Sequence, residues 1–220
     1  MIQENIIAIN KELPPEVKLV AVSKFHPVSA LMEAYDAGQR LFGENRPQEF
    51  AAKVPEMPAD VQWHFIGHLQ TNKLKMVLPY VSLVQSVDSF HLLDAIAKWA
   101  RANGRVLDVL LELHLGAEQT KQGFTEEEIL SICQSHCHSE QSEESIRIRG
   151  LMGMASNTED EARIDAEFSR IEALFHRIRG IGLPDFDQLS IGMSGDWPVA
   201  VKHGATMVRI GTDIFGPREY

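Results

Sequence analysis

Two cysteines in 220 residues are too few for a disulfide framework. Positive charge is also scarce. Against 31 Asp and Glu there are 21 Lys and Arg, a formal net charge of −10. Duplex binding needs a positive face to neutralise phosphates. No basic cluster supplies one, so nucleic acid is excluded as the main partner. No apolar run is long enough to span a bilayer. The opening residues, MIQENIIAINKELPPE, lack a positive segment leading into a continuous apolar one, so no signal peptide is read. These absences leave a cytoplasmic, reducing setting with no membrane partner. What is present is apolar material for a sizeable core, 44% of the chain. The length suits one domain or a tight pair.

Short apolar runs alternate with longer amphipathic stretches. Strands are predicted at Leu19–Val22, Arg40–Gly43, Gln62–Ile66, Leu83–Val87, Val106–Leu113, Arg147–Met152, Gln188–Ile191 and Met207–Ile210. Helices fall between them, with a further short one at Gln3–Lys11. Thr125 with Glu128 reads as a capping box, and Asn103-Gly104 as a helix stop. In the stretch 160–179, Ile164, Phe168, Ile171, Leu174, Phe175 and Ile178 form an apolar stripe at helical spacing, which is core packing. Strand then helix, repeated through eight strands, predicts a parallel sheet covered by helices. A (β/α)8 TIM barrel over residues 1–220 fits the count. An open doubly wound sheet would place a glycine-rich turn after its first strand. Here that turn is VSKFHP, without glycine. The tract CQSHCHSEQSEES, Cys133 to Ser145, is polar and low in complexity and reads as an exposed insertion. Its Cys133, His136, Cys137 and His138 fit no standard zinc spacing, so no metal is expected.

Barrel active sites lie where strands end and helices begin. Lys24 follows the first strand, and Glu44 and Asn45 the second. The third is followed by 67–73, the fifth by 114–124, the seventh by Gly192-Met193-Ser194-Gly195-Asp196. The eighth carries Arg209 and runs into Gly211-Thr212-Asp213. The last two loops, GMSG and IGTD, offer small residues, hydroxyls and N–H groups to an anion, where barrels often bind phosphate. A shielded lysine favours its neutral amine, a nucleophile toward aldehydes. A lysine for an aldehyde and a cradle for a phosphate point to a phosphorylated aldehyde: pyridoxal phosphate (PLP) or a sugar phosphate. The plainer readings are a strand-end lysine reaching water and glycines serving turns. Arg209, inside an apolar strand, needs an acceptor or a ring to stack on.

AVSKFHP, FGENRPQE, WHFIGHLQTNK, GLMGMAS, LSIGMSGD and MVRIGTDIFGPREY, co-linear from about Leu19 onward, resemble the signatures of the PLP homeostasis protein family. The resemblance implies a single barrel like the N-terminal domain of alanine racemase, the type III fold of PLP proteins. It implies that Lys24 forms a Schiff base with PLP. Arg209 would face the pyridine nitrogen. Ser194, Gly211 and Thr212 would hold the phosphate, and Met193 would line the pocket. Asn45 and His64 would line the cofactor site, with Lys121 near its mouth. The Cys133–Ser145 tract is outside the family pattern.

Many PLP enzymes keep the ring nitrogen protonated with a carboxylate. An arginine only donates, which leaves the ring a weaker electron sink. The chain ends ten residues after Ile210, so no second domain is expected to supply an acid or base. The expectation is therefore a monomeric PLP binder that buffers, carries or delivers the cofactor to PLP-dependent apoenzymes, with no catalytic residues of its own. The alternatives are a PLP-dependent amino-acid racemase or lyase, and a PLP-free Schiff-base aldolase.

Overall fold

The computed structural model describes residues 1–116, 122–137 and 145–217. Eight parallel strands close into a barrel in chain order, β1 pairing with both β2 and β8. They are β1 (Lys18–Val22), β2 (Leu41–Glu44), β3 (Gln62–Phe65), β4 (Leu83–Val87), β5 (Leu107–Leu113), β6 (Ile146–Gly153), β7 (Gln188–Ser190) and β8 (Met207–Ile210). Every predicted strand is present within a residue or so at either end.

Helix α1 (Ile2–Glu12) precedes the barrel and docks through Ile6 and Ile9. Around the barrel run α2 (Val28–Asp36), α3 (Pro47–Lys53), α4 (Leu74–Val77), α5 (Phe90–Ala102), α6 (Glu126–Cys137), α7 (Glu161–Arg179), α8 (Trp197–Lys202) and α9 (Thr212–Phe215). Local signals fix several of these ends. Thr125 N–H donates to Glu128 Oε2 at 2.8 Å and Glu128 N–H to Thr125 Oγ1 at 3.2 Å, the reciprocal capping box. Ser89 Oγ accepts from Leu92 N–H at the start of α5. Gly104 takes φ +60 just past its end. All six stripe residues of α7 are buried. Among the described residues, no helix is long and apolar enough to cross a membrane.

Strand alternation sorts side chains into two cores. Leu19, Ala21, Val109, Leu111, Leu151 and Val208 face the helices and join the main cluster. Val20, Leu83, Leu110, Met152 and Met207 form a separate, smaller cluster. These five come from five different strands and fill the lumen. The lumen is not wholly apolar. His64, Gln85, Ser190 and Arg209 are buried with them.

One expectation is corrected. The tract from Cys133 does not begin as an exposed insertion. Residues 133–137 continue α6, and Cys133 is fully buried in the main core. Burial pushes its thiol up to about 12. The polar composition hid one apolar helix face, Ile129, Ile132 and Cys133. His138 and the residues up to 144 lie outside the described residues, and Ser145 is buried.

Candidate functional site

The C-terminal ends of the strands surround a cavity of about 370 Å³. Lys24, Asn45, Met193, Ser194, Arg209, Gly211 and Thr212 all line it, with Val22, Gly67, His68, Glu112 and Met154. Seven residues expected from four separate stretches of sequence thus meet at one opening.

Lys24 is half-buried, two positions beyond β1. The backbone on both sides of it is clamped. Before it, Ser23 is fully buried, with its N–H on Gly43 O at 3.0 Å and its hydroxyl on Glu44 Oε1 at 2.6 Å. After it, Phe25 takes φ +68, a left-handed conformation rare for a bulky residue. Its N–H donates to Glu49 Oε2 at 2.8 Å, and the Arg46 guanidinium sits 4.3 Å from its ring centroid. Beneath this turn lies the lysine that is truly buried, Lys53. It reaches Glu44 Oε1 at 2.6 Å and Ser23 O at 2.8 Å. Burial raises the Glu44 carboxyl, and Lys53 opposes that rise. The lysine that burial would require to be paired is therefore Lys53; Lys24 opens on the cavity.

Arg209 is 4% exposed. Its Nη1 donates to Ser190 O and Ser190 Oγ, both at 2.7 Å, and its Nη2 to Gly153 O at 2.9 Å. Burial lowers it to about 10, while Glu112 and Asp196 act to raise it, so it stays charged at neutral pH. Glu112 shares the cavity and is pushed up to about 7 by burial and by Asp88, with Arg209 pulling the other way. Asp88 in turn meets His68 Nδ1 at 2.9 Å.

The loops after β7 and β8 are built from small residues. Gly192 turns with φ +93, and a Cβ there would come within 2.7 Å of Ala200 Cβ. A Cβ on Gly195 would meet nothing within 4 Å, so the loop borders open space. Asp196 accepts from Met193 N–H and holds the loop; burial raises its carboxyl. The Ser194 side chain hydrogen-bonds Asp213, whose carboxyl is raised by burial and lowered by that bond. Across the opening, Asn45 Oδ1 is buried without a hydrogen-bond partner among the described residues. The chain crosses closely there: a Cβ on Gly67 would collide with Asn45 O.

His64 is not in this cavity. It lies in β3, below the strand end, and lines a second cavity of about 180 Å³ with Lys18, Asp108 and Arg149. Same-face residues on a strand are about 7 Å apart. Ile66, two positions on, reaches the upper cavity, as do Gly67 and His68. Burial and Lys18 lower His64 to about 3, so it is neutral. Lys121 lies outside the described residues. Sequence reasoning missed Glu112, His68 and Asp88. For Glu112 there was a signal, a carboxylate flanked by leucines in Val109–Leu113.

Residues 1–219 match the family described as alanine racemase, N-terminal domain. The chain is 38% identical over 209 residues to a pyridoxal phosphate homeostasis protein of Haemophilus influenzae, covering 93% of this chain and 86% of that one. It is 39% identical over 206 residues to the protein of that name in Schizosaccharomyces pombe, covering 92% and 84%. Among solved structures it is similar to PipY of Synechococcus elongatus with PLP bound, at 35% identity and a TM-score of 0.86, covering 98% of this chain and all of that one. Alanine racemase of Corynebacterium glutamicum shares the fold at 15% identity and a TM-score of 0.73, with 61% of that chain covered.

Proposed function

The chain belongs to the pyridoxal phosphate homeostasis protein family, and from that premise we propose that it holds PLP at the C-terminal end of its barrel, with Lys24 as the covalent anchor. It is a PLP-binding protein acting in homeostasis of the cofactor, and PipY with PLP bound supports the ligand. The observation that carries the site reading is one cavity lined by Lys24, Arg209 and the two small-residue loops.

The residues present fit the group. When bound, PLP supplies an aldehyde for an amine and an electron-withdrawing ring. Lys24 provides the amine on a turn clamped by Ser23 and Glu49. Ser194, Gly211 and Thr212 hold the phosphate beside the open space at Gly195. Met193 lines the pocket wall. The partnerless Asn45 Oδ1 is an acceptor waiting for a donor. Arg209 donates to the ring nitrogen and, being donor-only, cannot accept a proton from it. That arrangement favours holding over catalysis. The whole barrel is the binding unit, acts as a monomer, and passes PLP to apoenzymes.

The test is the visible spectrum with added PLP, followed by intact mass after borohydride reduction, for wild type and Lys24→Ala. A yellow wild type carrying one pyridoxyl phosphate adduct on Lys24, absent from the variant, is expected. A colourless, unmodified wild type would sink the reading.

One observation favours a second activity. Glu112 holds a proton near neutral pH in the same cavity, as a racemase or lyase acting on an amino acid would need. Turnover that disappears in both Lys24→Ala and Glu112→Gln would establish it.

A further inference from the structure

A buried line of polar side chains runs down the lumen from Arg209. Arg209 Nη1 donates to Ser190 Oγ at 2.7 Å. Ser190 Oγ donates to Gln85 Oε1 at 2.6 Å. Gln85 Nε2 lies 2.7 Å from His64 Nδ1 and 3.0 Å from Met207 Sδ. Ser190 and Gln85 are fully buried, and His64 is 5% exposed.

The direction of every link follows from the first. A guanidinium only donates, so Ser190 Oγ accepts from Arg209. Its single proton then goes to the Gln85 carbonyl. That turns the Gln85 amide nitrogen toward Met207 and His64. A thioether sulfur is an acceptor, which agrees with that orientation. His64 Nδ1 must then accept, so its proton sits on Nε2. Burial, which keeps His64 neutral, is what permits this. A protonated His64 would set two donors face to face.

We infer that Ser190 and Gln85 are positioning residues for Arg209, and that His64 closes the line by accepting at its far end. The role toward PLP rests on the reading above. Arg209 has five N–H groups. The bonds to Ser190 and Gly153 fix the plane of the guanidinium in the barrel wall. The remaining N–H groups of that plane serve the cavity. Of these three contacts Ser190 Oγ is the one made by a side chain, and Gln85 holds that hydroxyl in place.

The tautomer is read first, on unliganded wild type, from the 15N shifts of His64. A neutral ring with unprotonated Nδ1 is expected. A charged ring, or a proton on Nδ1, overturns the line whether or not PLP binds. Ser190→Ala and Gln85→Met are then titrated with PLP. Each should hold PLP roughly fivefold to tenfold more weakly, the usual worth of one buried hydrogen bond, with a displaced absorption band. Ser190→Thr, which keeps the hydroxyl, should restore the wild-type band. Gln39→Met is the control. It removes a buried amide bonded to Leu19 O and Leu41 O, outside this line. It should lower Tm and leave PLP binding unchanged. If Ser190→Ala and Gln85→Met lower Tm as Gln39→Met does, with affinity and band unchanged, their role is structural and the inference fails. A wild type that takes up no PLP overturns the proposed function and the positioning role together, and the tautomer measurement still decides the line itself.

Discussion

Glu112 stands between Leu111 and Leu113 and turns its carboxylate into the cavity that Lys24 lines. Its folded pKa of about 7 lies above the ordinary value of 4.5. Between those two pH values the folded chain keeps a proton that the unfolded chain has lost. Stability therefore falls as pH rises through that window and levels off above it, by up to about 3 kcal/mol. Glu112→Gln removes this dependence. Chemical denaturation at about pH 5 and about pH 8 should show the variant gaining on wild type at the higher pH. An unchanged difference between the two proteins would mean that Glu112 does not hold a proton there. At this scale the sequence was legible where a chemical oddity stood at a strand end. Lys24 stood out in that way, and Arg209 as a charge inside an apolar strand, while Asn45 came from the family resemblance. It misled at His64, because a motif carries no depth: two strand positions moved the ring to the other cavity.

Between elements, one buried ion pair holds a helix to the barrel, and one partly exposed bridge joins two helices. Lys53 on α3 reaches back to Glu44 on β2 and to the carbonyl of Ser23. Lys53→Met leaves Glu44 buried and unpaired, which should cost about 3–5 kcal/mol. Adding Glu44→Gln should recover most of that loss, since a neutral amide no longer needs the ammonium. A double variant no better than Lys53→Met alone would place the loss in packing. On the other side of the barrel, His203 caps α8 and bridges two carboxylates of α7, Glu172 at 2.8 Å and Asp165 at 2.9 Å. Burial acts to lower its pKa, but the two carboxylates prevail and raise it. Its stabilising effect is thus complete below the unfolded value of 6.5 and lost as pH rises through the folded value. His203→Gln should destabilise by roughly 1 kcal/mol at acid pH and less at alkaline pH. Equal losses at both ends would show that the bridge does not titrate. Helix existence was plain in the sequence because apolar stripes and caps are local. The Cys133 segment was read wrongly because serines, glutamines and histidines masked one buried face.

For the whole molecule, delivery of PLP is the property that separates a carrier from a sponge. Loaded protein mixed with a PLP-dependent apoenzyme should activate it faster than free PLP at the same concentration. Equal rates would leave storage without direct transfer. Such transfer is consistent with the half-buried position of Lys24, the proposed anchor, and with a net charge of −10, which disfavours capture by polyanions.

The sequence by itself determined the barrel and the end of it that matters. Alternation of short buried runs with amphipathic helices allows few packings, and residues following strands must gather at one rim. Only the tertiary structure decided what lies inside. Closing the sheet turns every second residue of eight strands into one lumen. Arg209, Ser190, Gln85 and His64, scattered over 146 positions of chain, become hydrogen-bonded neighbours there. Lys53, an unremarkable helix residue in the sequence, becomes the buried partner beneath the Lys24 turn. Hydrogen bonds between distant strands leave no periodic trace along the chain, because each depends on register and closure rather than on its neighbours in sequence.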